Sequence, residues 1–87
     1  MESSKKDLNS VRLFGRSYPL GASFYDGGVN FSLYSKNATK VELLFFDGMN
    51  DRRPSRTFSF DPIHNRTFHY WHIFIPGVQQ GQLYAYR

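Results

Sequence analysis

Seven carboxylates and three histidines, with no cysteine, are the side chains here that could carry acid–base or metal chemistry. Hydrolysis by a carboxylate pair needs the two groups roughly 5–10 Å apart across the bond. Asp26, Asp47, Asp51 and Asp61 instead stand in turn signals, where Asp serves by accepting nearby backbone N–H groups. Glu2 and Asp7 fall in a polar leader, and Glu42 on an alternating run. His69 and His72 are three apart, which on an extended strand sends them to opposite faces. With no cysteine and no carboxylate close in sequence, they make no metal site. No serine sits in a glycine-flanked elbow, and the glycines form no phosphate-binding fingerprint. The residues predict no catalytic group, no metal and no cofactor.

The elements that position these residues read as strands. No window of helical length repeats apolar positions at i, i+3, i+4 and i+7, and β-branched and aromatic residues fill the apolar runs. Strands are expected at Ala22–Tyr25, Val29–Ser35, Lys40–Phe46, Thr57–Phe60 and Thr67–Ile75, with a last one from Leu83 to Tyr86. Asp26-Gly27-Gly28 turns the first into the second, because glycine takes the positive φ that hairpin turns require. Asp47–Asp51, Asp61-Pro62, Pro76-Gly77 and Gln79–Gly81 punctuate the rest. Short strands with regular turn signals predict an all-β fold, an immunoglobulin-like antiparallel β-sandwich. Trp71 alternates in register with Ile73 and Ile75 and is expected as a core anchor.

Alternation also exposes a conflict. An outer sheet face should be polar. Yet with Val41, Leu43 and Phe45 inward, Leu44 and Phe46 face out, and with Trp71, Ile73 and Ile75 inward, Tyr70, His72 and Phe74 face out. If these strands are neighbours, Tyr34, Leu44, Phe46, Tyr70 and Phe74 form one apolar patch. Such a patch marks a docking or binding surface. Leu44, Phe46 and Phe74 fit packing against another protein domain, since aliphatic groups give no sugar specificity. Tyr34 and Tyr70 suit stacking on the C–H faces of sugars, with His72 adding hydrogen bonds. A loop or the N-terminal arm covering the patch is the third reading.

The 87 residues make one domain at most, and nine Phe, six Tyr and one Trp supply its core. A formal charge of +4 raises nucleic acid as a partner, but the cations are scattered, or clustered in the loop Arg52–Arg56, rather than interleaved with aromatics. No nucleic-acid partner is expected. No window approaches the ~20 apolar residues of a membrane span, so no membrane is expected either. Absent cysteine and an apolar-poor N-terminus suit a reducing cytoplasm. Without a secretion signal, the tripeptides at Asn30, Asn37 and Asn65 read as chance glycosylation matches. Residues 1–12 read as a disordered N-terminal arm. The sequence stops at LYAYR inside an apolar run, which suggests a piece of a longer protein.

Three stretches in order carry a resemblance. They are Gly15–Ala22 (GRSYPLGA), Val29–Phe46 (VNFSLYSKNATKVELLFF) and Trp71–Arg87 (WHIFIPGVQQGQLYAYR). Together they resemble the carbohydrate-binding module family 48 domain, the early-set β-sandwich that begins glycogen-debranching and isoamylase-type glycoside hydrolases. The resemblance covers residues 13–87. It implies a parent that hydrolyses α-1,6 branches of glycogen or related glucans, with all catalytic residues in a following (β/α)₈ barrel. This chain would then be a non-catalytic accessory domain truncated before the barrel, with that barrel and α-glucan as its partners. Glycogen-binding relatives present Trp in the loop after the third strand, whereas here Asp47-Gly48-Met49-Asn50-Asp51 has none. An autonomous glucan-targeting module is the alternative.

Overall fold

Asp26 and Gly27 both take positive φ, 48° and 79°, and so form the two-residue turn that lets two twisted strands fold back on each other. The computed structural model describes residues 14–87; the arm expected over residues 1–12 lies outside the described residues. The turn joins β1 (Gly21–Tyr25) to β2 (Gly28–Tyr34), with Tyr25 opposite Gly28. The chain continues through β3 (Glu42–Phe46), β4 (Arg56–Ser59), β5 (Arg66–Thr67), β6 (Tyr70–Pro76) and β7 (Leu83–Tyr86). All pairings are antiparallel. They build a four-stranded sheet in the order β1-β2-β6-β5 and a three-stranded sheet in the order β4-β3-β7. The expected all-β sandwich is the observed fold.

One expected strand is two. Thr67–Ile75 reads as a single run, but the chain reverses at Phe68-His69, with Thr67 opposite Tyr70. Phe68 sits at φ 59°, a conformation few bulky side chains adopt. The Arg66 guanidinium Nε donates to the Phe68 carbonyl at 2.8 Å and holds the turn. Phe68 itself is therefore 71% exposed at a turn tip.

Between the sheets lie Val29 and Phe31 from β2, Leu43 and Phe45 from β3, and Trp71, Ile73 and Ile75 from β6, closed by Val41 and Phe60. Trp71 is the anchor that its register implied. It is fully buried, meets Phe60 edge-on with centroids 6.4 Å apart, and donates its indole N–H to the Ser35 carbonyl at 3.2 Å.

Tyr86 reaches into the same space, and its hydroxyl is buried with no partner among the described residues. Burial, aided by neighbouring Tyr84, pushes its pKa up from 10.0 to about 12. The folded state thus holds this proton more tightly than the unfolded chain does. The contribution is complete below pH 10 and is lost as pH rises from about 10 towards 12. The urea midpoint should fall across that window, and Tyr86→Phe should flatten the fall; equal slopes in the two proteins would rule this account out.

The outer face of the four-stranded sheet carries a strap, residues 14–18. Arg16 brackets the Asn30 amide: its N–H donates to Asn30 Oδ1 at 2.8 Å, and its carbonyl accepts from Nδ2 at 2.9 Å. Ser32 donates to the Ser17 carbonyl at 2.7 Å. Phe14 accepts from His72 Nδ1 at 2.6 Å. The strap both covers these polar side chains and supplies their partners, so its cover leaves none of them orphaned, a state that would cost about 1–3 kcal/mol for each group.

Candidate functional site

Sheet membership decides which candidate residues meet. Tyr34 and Tyr70 are cross-strand partners at one end of β2 and β6. Their rings stand edge-on, 5.2 Å apart, and His69 meets Tyr34 edge-on at 5.8 Å. Tyr34 is 52% exposed, so its ring offers a free face to solvent. Tyr70 is half-buried behind it.

His72 does not join them. It is buried, and both ring nitrogens are engaged within the chain. Nδ1 faces a carbonyl and must carry the proton, which leaves Nε2 to accept from the Thr67 hydroxyl at 2.8 Å. A sugar hydroxyl would find neither nitrogen free. Strand parity correctly turns His72 outward, but the strap lies over it.

Phe74 is likewise outward and buried: Tyr25 packs on it edge-on at 5.7 Å, and Arg16 sits 3.9 Å above the Tyr25 ring. The single apolar patch does not exist. Leu44 and Phe46 belong to β3, in the three-stranded sheet, whereas Tyr34, Tyr70 and Phe74 lie on the other sheet. The two sets face away from each other across the core, because alternation within a strand does not say which sheet the strand joins.

Leu44 and Phe46 do form a surface of their own. On the outer face of the three-stranded sheet, Leu44 is flanked by Thr57 and Ala85, and Phe46 by Leu83. Leu44 is buried yet outside the core cluster, and Phe46 and Leu83 are partly buried. The ion pair of Glu42 with Arg87, at 2.9 Å, closes one end of this surface.

The acids do the structural work their turns imply. Asp51 accepts from the Gly48 N–H at 2.9 Å. Asp61 accepts from the Ile63 N–H and pairs with His64, and these contacts hold its carboxyl below its ordinary pKa, the backbone bond first. No cluster of three His, Asp or Glu able to hold a metal occurs among the described residues. Arg56 and Arg66 lie against the chain's own rings, Arg56 4.8 Å from Phe58 and Arg66 4.8 Å from Trp71. No helix of the described residues is long and apolar enough to cross a membrane.

This geometry has relatives. The profile of carbohydrate-binding module 48, described as the isoamylase N-terminal domain, matches residues 19–87. The chain belongs to that family. Isoamylase 1, chloroplastic, of Oryza sativa subsp. japonica is 42% identical over 77 residues, covering 86% of this chain and 10% of that protein. The glycogen debranching enzyme of Dickeya chrysanthemi is 43% identical over 75 residues, again 86% of this chain and 10% of that enzyme. The chain therefore spans about a tenth of the length of the curated relatives it matches. Among solved structures, a pullulanase from Paenibacillus barengoltzii complexed with maltotetraose superposes with a TM-score of 0.69 at 16% identity, over 91% of this chain and 12% of that one. That likeness shows the fold. As a carbohydrate-binding module 48 domain, the chain is an accessory, non-catalytic unit of the kind found at the start of isoamylase-type enzymes.

Proposed function

We propose that this domain is the accessory N-terminal module of an α-1,6-glucan debranching glycoside hydrolase, packing beside its catalytic (β/α)₈ barrel. The observation that carries docking is the outer face of the three-stranded sheet, where Leu44, Phe46, Leu83 and Ala85 lie side by side. An apolar row across neighbouring strands is what a second protein surface covers. Phe74 drops out of the docking set, being covered within the chain.

A second reading is direct contact with α-glucan, favoured by the Tyr34 ring standing half-exposed beside Tyr70. The relative solved with maltotetraose and the family's description both supply the ligand class. Because the two rings are inclined at 72°, only one can lie flat on a sugar, which suits weak contact. With no cysteine in the chain, the cytoplasm suits it, although several plant relatives carry "chloroplastic" in their names.

One amide NMR experiment with two titrants tests both surfaces. Adding a catalytic barrel expressed separately from a debranching relative should perturb Leu44, Phe46 and Leu83. The double variant Phe46→Ser and Leu83→Ser should weaken that association at least tenfold, and unchanged affinity would remove this face from the interface. Adding maltoheptaose should shift Tyr34 and Tyr70 and leave His72 silent; a spectrum without any shift would reduce the role to structural support.

A further inference from the structure

Two-residue hairpin loops in which only the first central residue takes positive φ ordinarily give that position to glycine. In the β5–β6 loop it is Phe68, at φ 59°, followed by His69. This conformation crowds a Cβ and is out of the ordinary for a bulky side chain. Burial does not offset the strain, because the ring is 71% exposed. Arg66, bonded to the Phe68 carbonyl, holds the loop in this form. Strained residues that the surrounding structure fixes in place gather at ligand-binding sites.

A second ring stands close to it. Phe68 lies against the His69 imidazole with centroids 3.8 Å apart, and His69 meets Tyr34 at 5.8 Å. Phe68 and Tyr34 thus expose two rings around one imidazole, near enough for one oligosaccharide to touch both. Their planes are not parallel, since 36° separates Phe68 from His69 and 88° separates His69 from Tyr34. Two inclined faces suit a chain whose successive units turn, and cannot both lie flat on a straight ribbon. α-1,4-Linked glucose gives the turning chain, and β-1,4-linked glucose the ribbon.

We propose that Phe68 is a specificity-determining residue for α-glucan. Its ring takes a second sugar unit of the chain that Tyr34 holds, and the inclination of the two rings selects α-linked over β-linked chains. A ring already fixed at the turn tip costs binding little ordering entropy. The inference rests on glucan contact at Tyr34, and it adds the second ring that Tyr70, half-buried behind Tyr34, cannot supply.

Amide NMR titration of the chain with maltoheptaose and with cellohexaose, a β-1,4-linked chain, tests it. Maltoheptaose should shift Phe68 and Tyr34 together and bind at least tenfold more tightly than cellohexaose. Phe68→Ala removes the ring but keeps a Cβ in the strained conformation, whereas Phe68→Gly removes both. Each should weaken maltoheptaose binding at least fivefold, while the urea midpoint of Phe68→Gly lies above that of Phe68→Ala. A parent chain that maltoheptaose does not shift removes the glucan reading and this inference with it. A parent chain that binds overturns this inference alone if either variant binds as tightly, or if cellohexaose binds equally well. So does a loss in Phe68→Ala that affects association with the separately expressed barrel and not with maltoheptaose, which would place the ring in a domain interface.

Discussion

Trp71→Ala is expected to remove a large part of this domain's stability. The side chain is fully buried between the sheets, against Phe60 on one side and under the Arg66 guanidinium on another. Removing a buried Trp costs about 3–5 kcal/mol, the lost transfer free energy plus that of the cavity left behind. A domain of 87 residues has a total stability of about 4–13 kcal/mol. The substitution therefore removes a large part of what is available, and the backbone on both sides is strand that cannot collapse into the hole without breaking its ladder. Trp71→Phe keeps most of the volume and forfeits the bond to the Ser35 carbonyl, so it should cost far less. Urea unfolding followed by far-ultraviolet circular dichroism separates the two. A Trp71→Ala midpoint close to that of the parent would show that the core does not depend on this ring.

The second large effect is expected at Gly15. It takes φ 68°, a conformation costing an L residue about 1–2 kcal/mol. A Cβ there would also lie 2.7 Å from Asn30 Oδ1 and 2.8 Å from the Ile73 carbonyl carbon. Ile73 is backbone in the middle of β6 and cannot retreat, so the strap must lift. Lifting it breaks the bonds to Asn30, Ser32 and His72, each with a net value of about 1 kcal/mol. Gly15→Ala should thus destabilise by about 5–6 kcal/mol. Gly21→Ala is the control: its φ is 88° but nothing lies within 4 Å of the added Cβ, so only the backbone cost applies. Equal losses at the two positions would mean that the strap contributes nothing.

Much of the fold was legible because its signals are local. Asp26-Gly27 sits between alternating runs, and the inward sets of β2, β3 and β6 follow from period two alone. The candidate surface was less so. Period two assigns Leu44 and Phe74 to outer faces but does not state which sheet each strand enters, and the two fall on opposite sides. The β5–β6 turn was hidden because an aromatic, Phe68, takes the conformation that a glycine would have announced. His72 misled for a different reason: its outward parity is correct, but its cover comes from a segment far away in sequence. A signal for that cover was present. Asn30, Ser32 and His72 place three small or hydrogen-bonding side chains in adjoining outward positions, a row suited to gripping a passing backbone.

The strap also sets an order of assembly. Its bond from His72 to the Phe14 carbonyl spans 58 residues, and its bonds to Asn30 and Ser32 span 14 and 15. A chain emerging from the ribosome can fasten the near end of the strap once the β1–β2 hairpin exists. The far end must wait for β6, because closing a longer loop costs more entropy and its anchor has not yet been made. Residues 14–18 are thus made well before β6 but are fully tied down only after it, when His72 takes the Phe14 carbonyl.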